Sequence, residues 1–423
     1  MPPHVLDDLD GRGLLAHTTD RDALRAELDR GPVTFYVGFD PTAPSLHMGN
    51  LVQLLTAKRL QLAGHRPLIL VGGATGLIGD PKATGERTLN SAEVVAGWVE
   101  RIRGQVARLV DLDGDNAARV VNNLDWTASL STLDFLRDIG KHFPVNRMLG
   151  RDVVRSRLEA GISYTEFSYV LLQSMDYLEL FRRHGCRLQS GGSDQWGNIT
   201  AGVELIRRAE GAQVHALATP LVTKADGTKY GKTETGTLWL DPELMSPYAF
   251  HQFWLHAEDS MVSTYLRIFS FRPLEEIDHV VAEHEQRPSA RLAQRVLAAD
   301  VTALVHGDAE LRHAEQAAQA LFGRGDLAAV PEAALAAALA EAPHARVEKG
   351  LALPSVVDAF VATGLAASRS QARRAVQEGG AYVNNERVSA PDDPLPPAAL
   401  LHGRFLVVRK GKRSVGVVDV SGA

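Results

Sequence analysis

The sequence predicts an α/β protein: a parallel-sheet domain, then an all-helical stretch, then a small α+β module. Three observations carry this. Strand-like and helix-like stretches alternate through the first half of the chain, a pattern that goes with a parallel sheet flanked by helices. The run RPLILVGG (66–73) is continuously apolar, as buried parallel strands are. Beyond Thr233 helical patterns follow one another without alternation, until short strand-like runs return near the end.

In order, TFYVGFDPTAPSLHMGN (34–50) has an apolar run, Phe35 to Val37, that stops at Gly-Phe-Asp-Pro. NLVQLLTAKRLQLAG then has the apolar spacing of an amphipathic helix, which puts His47 and Gly49 at its start. NSAEVVAGWVERIRGQVARLV is expected to be a helix with Asn90 and Glu93 in capping-box spacing. ARVVNNLDW is expected to be a strand and STLDFLRDIGKHF a helix. From Pro247 to about Arg324 the pattern is helical, and the Ala-, Glu- and Pro-rich stretch from Asp326 to Lys349 is expected to be a helical or semi-flexible connector. Two short helices follow (SVVDAFVATG, SRSQARRAVQEG), then AYVNNERV with an Asn-Asn turn and a hairpin, RFLVVRKGKRSVGVVDV. The expected domains are 1–230, 231–325, a connector 326–350, and 351–423.

Apolar residues are 45% and charged residues 23% of 423, an ordinary globular profile. No apolar run approaches a membrane span, and the acidic start MPPHVLDDLDGRG is not a secretory signal. Cys186 is the single cysteine, so an internal disulfide and a cysteine-cluster metal site are excluded, and a cytoplasmic setting is expected. The net charge is −6. From Leu351 onward nine basic residues face six acidic ones, an excess of +3 that leaves −9 on the remainder. A positive tail on an acidic body suits a polyanionic partner. Neither a G-x-G-x-x-G nor a G-x-x-x-x-G-K-[ST] pattern is present.

Five segments could carry chemistry. A strand-to-helix turn with His47, Thr42 and Gly49 suits phosphate, since a helix start offers N–H groups and positive dipole; on those letters alone a turn histidine with a capping glycine is the better reading. KADGTKYGKTETG (224–236) places Lys229 and Lys232 three apart in a Gly-rich loop, suited to charge on a polyphosphate or else simply a solvated basic loop. Tyr169, Gln173 and Asp176 share one helical stripe with apolar flanks, so when buried they need partners or a ligand. In QSGGSDQWGNITAG, Gly191, Gly192 and Asp194 suit a ribose. GGATGLIGDPKATGERT puts Asp80 after a Gly-rich turn, ahead of Lys82 and Arg87.

Together these segments, in this order, resemble the bacterial tyrosyl-tRNA synthetases of class I. His47-Met48-Gly49-Asn50 resembles the first class signature, with Asn50 in place of the usual final histidine. Lys229-Tyr230-Gly231-Lys232-Thr233 resembles the second. SRSQARRAVQEGGAYVN resembles the S4-type RNA-binding module of these enzymes. The resemblance implies a Rossmann-like catalytic domain with an inserted helical segment, a helical anticodon-side domain and an S4-like tail. It implies activation of L-tyrosine by ATP to tyrosyl-adenylate, then transfer to the terminal adenosine of tRNA(Tyr). By the same resemblance His47 and Thr42 hold the ATP phosphates, and Lys229, Lys232, Lys82 and Arg87 close over them. Gly38, Asp40, Gly49, Asn50, Gly191, Gly192 and Asp194 contact ATP. Asp80, Tyr169 and Gln173 take the substrate's ammonium, Tyr36 and Asp176 its phenol, and Gln195 its carboxyl end. Arg207 and Arg208 meet the acceptor stem, and Arg369, Arg373 and Arg374 contact RNA in the tail. A homodimer is implied, with Mg²⁺ only as a companion of ATP and no structural metal.

Three rivals remain at this stage. A tryptophan-specific relative is disfavoured by Tyr36 and Asp176, which suit a phenol. An inactive RNA-binding derivative is disfavoured by the complete set of lysines and pocket residues. A nucleotidyltransferase acting on a small cofactor leaves the helical domain and tail without purpose.

Overall fold

The computed structural model describes residues 3–81, 89–223, 228, 237–323, 325–340, 342–411 and 414–421. The chain divides into two compact units: Met1–Leu244 with Ala257–Asp300, and Met245–His256 with Val301–Ala423.

The first unit is built on a six-stranded sheet of β1 (His17–Thr18), β2 (Thr34–Phe39), β3 (Arg66–Val71), β4 (Arg119–Asn122), β5 (Leu188–Gly192) and β6 (His215–Thr219). The strand order is β1-β6-β5-β2-β3-β4. Every pairing is parallel except that of the short edge strand β1 with β6. Buried strands need no polar face, and Phe35, Val37, Ile69 and Val71 are all at most 1% exposed. The order reverses beside β2, whose neighbours are β3 and β5. Ligands of open α/β sheets sit at such a switch point, beyond the carboxyl ends of the strands.

Three helices frame that point. Met48–Leu62 follows β2; its N-cap His47 accepts from Gly49 N through Nδ1 at 3.1 Å, and His47 N donates to Asn50 Oδ1 at 3.0 Å. Tyr164–His184 begins at Ser163, whose hydroxyl accepts from Glu166 N, and ends at Gly185 with φ 62°. Trp196–Glu210 follows β5 and ends at Gly211, φ 64°. Both ends use the left-handed conformation that glycine adopts without a steric cost.

Two expectations need correction. The helix Ala92–Val106 is capped by Ser91, which accepts from Val94 N at 3.4 Å, not by Asn90; the Asn90–Glu93 spacing imitates a capping box one residue too early. STLDFLRDIGKHF is not one helix but a short α-turn (Thr132–Asp134), a π-turn (Phe135–Ile139) and a 3-10 turn (Gly140–His142). Phe135, Ile139 and Phe143 pack on the core while Leu133 and Leu136 are 77% and 47% exposed, so only one side of this segment is held.

Ala257–Asp300 contributes the helices Asp259–Phe269 and Leu274–Gln286 to the first unit. The buried Arg12 donates to the carbonyls of Arg267, Ser270 and Arg272 at 3.2, 3.0 and 2.9 Å, satisfying groups the first of these helices leaves open at its C-terminus. Arg59 adds a bond to Ser270 O at 2.8 Å and stacks on Phe271. The region expected as one helical domain, 231–325, is thus shared between the two units.

The second unit holds a five-stranded sheet of β7 (His344–Glu348), β8 (Ala381–Val383), β9 (Glu386–Arg387), β10 (Phe405–Lys410) and β11 (Ser414–Ser421), ordered β7-β11-β10-β8-β9. Leu406, Val408, Val418 and Val420 pack on one face with the helices Val356–Ala362 and Arg369–Gln377. Phe405, Val407 and Val417 pack on the other, with Leu335 and Leu339. Asn384 and Asn385 have φ 48° and 70° and turn β8 into β9. The stretch 326–350 is partly helical, as expected, but it packs into the core and sheet of this unit instead of only connecting domains. Its helix Glu332–Leu339 buries Leu335 and Leu339 fully, and its β7 pairs in parallel with β11. Alanine-rich composition hid two leucines at helical spacing.

Candidate active site

Beyond β2 and β5 lies a cleft of about 370 Å³. It is lined by Tyr36, Gly38, Asp40, Thr42, His47, Gly49, Asn50, Asp80, Tyr169, Gln173, Asp176, Gly191, Gly192, Asp194 and Gln195, each singled out from the sequence. Lys82, Arg87, Lys229 and Lys232 lie outside the described residues. The ends of the segment holding the last two are placed, however. Leu221 and Val222 line the cleft. Beyond residue 236, Met48 N donates to Leu238 O at 3.1 Å, and Trp239 forms an antiparallel bridge with His47. The described residues on either side of that segment therefore sit beside the first signature.

The cap geometry selects the tautomer of a neutral His47. Its Nδ1 accepts a backbone N–H, so the neutral ring carries its hydrogen on Nε2. Asn50 uses its carbonyl to accept from His47 N, which leaves its amide nitrogen as the donor end.

Under the cleft two carboxylates are joined by a polar chain. Asp40 accepts from Tyr169 OH and Thr75 Oγ1, both at 2.6 Å. Asn123 Nδ2 donates to Thr75 Oγ1 at 2.9 Å and to Asp176 Oδ2 at 3.0 Å, and Trp126 Nε1 donates to Asp176 Oδ1 at 2.9 Å. Gly72 makes this possible: a Cβ there would lie 2.2 Å from Asp40 Oδ1 and 2.3 Å from Thr75 Oγ1. Burial pushes the Asp176 carboxyl up to about 7, against its hydrogen bonds from Asn123 and Trp126, which pull it down. Burial likewise raises the Tyr36 phenol, with the Asp176 charge adding to the effect.

Several buried polar atoms in the cleft have no protein partner among the described residues: Tyr36 OH, Gln173 Oε1, Gln189 Oε1 and Ser190 Oγ. Buried polar groups are normally paired, so a row of orphans around one cleft is what a polar ligand would satisfy. Asp80 accepts from Gln195 Nε2 at 2.9 Å and Asn198 Nδ2 at 3.2 Å. A Cβ at 192 would come within 2.7 Å of Asp194 Oδ1, so Gly192 keeps that carboxylate accessible.

Sequence reasoning missed Thr75, Asn123, Trp126, Gln189, Ser190 and Asn198. NNLDW held a signal in its two asparagines, since Asn123 follows a parallel strand at its carboxyl end. Nothing in the sequence pointed to Thr75.

The expected RNA contacts lie outside the cleft. Arg207 donates to Glu204 at 2.7 and 2.9 Å; Arg208 donates to the same carboxylate at 2.6 Å and to His142 O at 2.9 Å. The Arg207 hydrogen bond is the main reason the Glu204 carboxyl falls to about 2. In the second unit Arg369 pairs with Asp358, and Arg373 with Asp392 at 2.8 Å; Arg374 is exposed. Among the described residues no group of three histidine, cysteine, aspartate or glutamate side chains could hold a metal ion. No helix among them is long and apolar enough to cross a membrane.

Comparison with known proteins identifies the family. Residues 28–323 match the family of class I tRNA synthetases for tryptophan and tyrosine, and residues 334–418 match the tyrosine–tRNA ligase SYY-like C-terminal domain. The chain is 60% identical over 422 residues to a tyrosine–tRNA ligase of Streptomyces coelicolor, covering 99% of each chain. It is 62% identical over 418 residues to one of Kineococcus radiotolerans, covering 98% of each. The crystal structure of a C-terminally truncated mitochondrial tyrosyl-tRNA synthetase of Aspergillus nidulans superposes with a TM-score of 0.69 at 30% identity, covering 76% of this chain and 95% of that one. With both family matches in place and near full-length identity to its curated members, the chain belongs to the bacterial tyrosyl-tRNA synthetases of class I.

Proposed function

We propose that the cleft is where this tyrosine–tRNA ligase makes tyrosyl-adenylate, with one end built for the amino acid and the other for ATP. The observation that carries this is the set of orphaned acceptors and donors beside His47. A carboxylate oxygen of tyrosine attacks the α-phosphorus of ATP, the bond to the β-phosphate breaks, and pyrophosphate leaves. A ribose hydroxyl of the terminal adenosine of tRNA then attacks the carbonyl carbon, and AMP leaves. Neither step needs a covalent enzyme intermediate, so positioning and charge stabilisation do the catalysis.

In this reading Tyr36 and Asp176 bind the phenol, while Asp80, Tyr169 and Gln173 accept from the ammonium and Gln195 orients the carboxyl end. Asp194 with the Gly191-Gly192 backbone takes the ribose. Gly38, Asp40, Gly49 and Asn50 complete the ATP contacts. His47 and Thr42 meet the phosphates, joined by Lys229, Lys232, Lys82 and Arg87. Mg²⁺ arrives with ATP, held mainly by phosphate oxygens and water. A cytoplasmic setting suits a chain whose single cysteine is buried and unpaired. A homodimer is supported by the unusual exposure of Leu133, Val145 and Tyr164, at 77, 60 and 67%.

The test is pyrophosphate exchange into ATP driven by tyrosine, with its pH dependence. The free enzyme holds a proton on Asp176 below about pH 7, and the phenol donates best to the ionised form. Tyrosine affinity is therefore expected to fall as pH drops from 8 to 6, by at most about tenfold per unit below 7. Asp176→Asn should abolish the dependence. Because the folded carboxyl titrates above its unfolded value, its contribution to stability is full below the ordinary carboxylate value of 3.8 and is lost as pH rises through about 7.

Arg207 and Arg208 share one carboxylate and keep one net positive charge, the basis for placing the tRNA acceptor stem there. Replacing both with alanine is expected to weaken aminoacylation while leaving exchange intact, and to reduce the salt slope of tRNA binding by about one to two. Unchanged aminoacylation would make them a solvated pair.

A further inference from the structure

Asn198 lies behind the cleft wall, 3% exposed, and is not among the residues lining the cleft. Its Oδ1 accepts from Arg151 Nη2. Its Nδ2 donates to Asp80 Oδ1 at 3.2 Å and to Gln195 Oε1 at 2.9 Å, while Gln195 Nε2 donates to Asp80 Oδ2 at 2.9 Å. Arginine can only donate. The guanidinium therefore dictates which end of the Asn198 amide turns outward. That end in turn requires Gln195 to present its carbonyl to Asn198 and its amide nitrogen to Asp80. Each Asp80 oxygen thus receives one N–H from behind.

Arg151 belongs to a different surface. It lines a groove of about 250 Å³ with Phe143, Pro144, Met148 and Arg208. It has no ion pair with a carboxylate among the described residues, and burial lowers its pKa.

We propose that Arg151 and Asn198 are positioning residues for the substrate's ammonium group, acting through Asp80 and Gln195. The donor-only guanidinium fixes two amide orientations in series, and these fix the carboxylate that meets the ammonium. The inference rests on the assignment of Asp80 to the ammonium.

The experiment uses the full-length enzyme and pyrophosphate exchange. The variants are Asn198→Ala, Asn198→Asp, Arg151→Met, Arg151→Lys, Asp80→Asn and the Asp80→Asn/Asn198→Ala pair. The probe is 3-(4-hydroxyphenyl)propionate, tyrosine without its amino group, as a competitive inhibitor. Asn198→Ala and Arg151→Met are expected to raise the tyrosine KM about 10- to 100-fold, the scale of one charge-assisted hydrogen bond. The ATP KM and the inhibition constant of the propionate should stay within about twofold, and Arg151→Lys should recover part of the loss. Asn198→Asp, with a second carboxylate beside Asp80, should be the worst. The double variant should be no worse than Asp80→Asn alone. If tyrosine and the propionate weaken together, or the double variant shows additive losses, the two residues are merely structural and the proposal fails. If Asp80→Asn itself leaves the tyrosine KM unchanged, the ammonium assignment falls, and the proposal with it. Arg151 is partly exposed, so its variants keep the test decisive even where Asn198→Ala does not fold.

Discussion

Replacing His47 with asparagine is expected to slow tyrosyl-adenylate formation about 10²- to 10³-fold and leave the melting temperature almost unchanged. Asparagine is as good an N-cap as any residue, so the helix Met48–Leu62 keeps its start. What it lacks is reach. With Nδ1 engaged by Gly49 N, the Nε2–H of His47 is the donor that can meet charge on the departing pyrophosphate. Losing one positioned donor to developing charge costs about this much in rate. The check is single-turnover formation of tyrosyl-adenylate alongside thermal unfolding. His47→Ala should show the same kinetic loss together with about 1 kcal/mol of stability, because the cap goes too. A large fall in melting temperature for His47→Asn would mean the ring is mainly structural.

The second large effect concerns the phenol. Phenylalanine in the cleft would leave Tyr36 OH unpaired and Asp176 with only its bonds from Asn123 and Trp126. An unpaired buried group costs about 1–3 kcal/mol and a lost bond to a charged group about 1.5–3 kcal/mol, so discrimination of roughly 10²- to 10⁴-fold is expected from the pair. Tyr36→Phe separates function from stability. Its hydroxyl has no protein partner among the described residues, so the variant should be at least as stable as the parent while the preference for tyrosine shrinks about tenfold or more. Asp176→Ala should behave differently. It strands Trp126 Nε1 and leaves Asn123 Nδ2 with only its bond to Thr75, so stability and tyrosine activation should fall together. The measurement is the ratio of kcat/KM for tyrosine and phenylalanine in exchange, beside the melting temperature of each variant.

Much of the site was legible because its chemistry lies in short local motifs. His47 with Asn50, the Tyr169–Gln173–Asp176 stripe and Gly191-Gly192-Asp194 each sit on one turn or one helix face, and the sheet order carries all three to one switch point. The bonds that hold them in place were not legible. Asn123, Thr75 and Trp126 reach Asp176 and Asp40 across 35 to 53 residues of sequence, and Asn198 reaches Asp80 across 118. No periodicity encodes such pairings. The fold shows the same limit. RPLILVGG announces a strand buried on both faces, but β7, reading HARVE, shows itself only through its partner β11. β6, five residues with two alanines, also gave no signal.

The most direct measurement of the central claim is amino-acid-dependent exchange of pyrophosphate into ATP without tRNA, comparing tyrosine, phenylalanine and tryptophan. The account predicts exchange with tyrosine, little with phenylalanine, and none with tryptophan. Exchange driven by tryptophan, or by tyrosine and phenylalanine alike, would contradict the assignment of Tyr36 and Asp176 to a phenol and with it the division of the cleft.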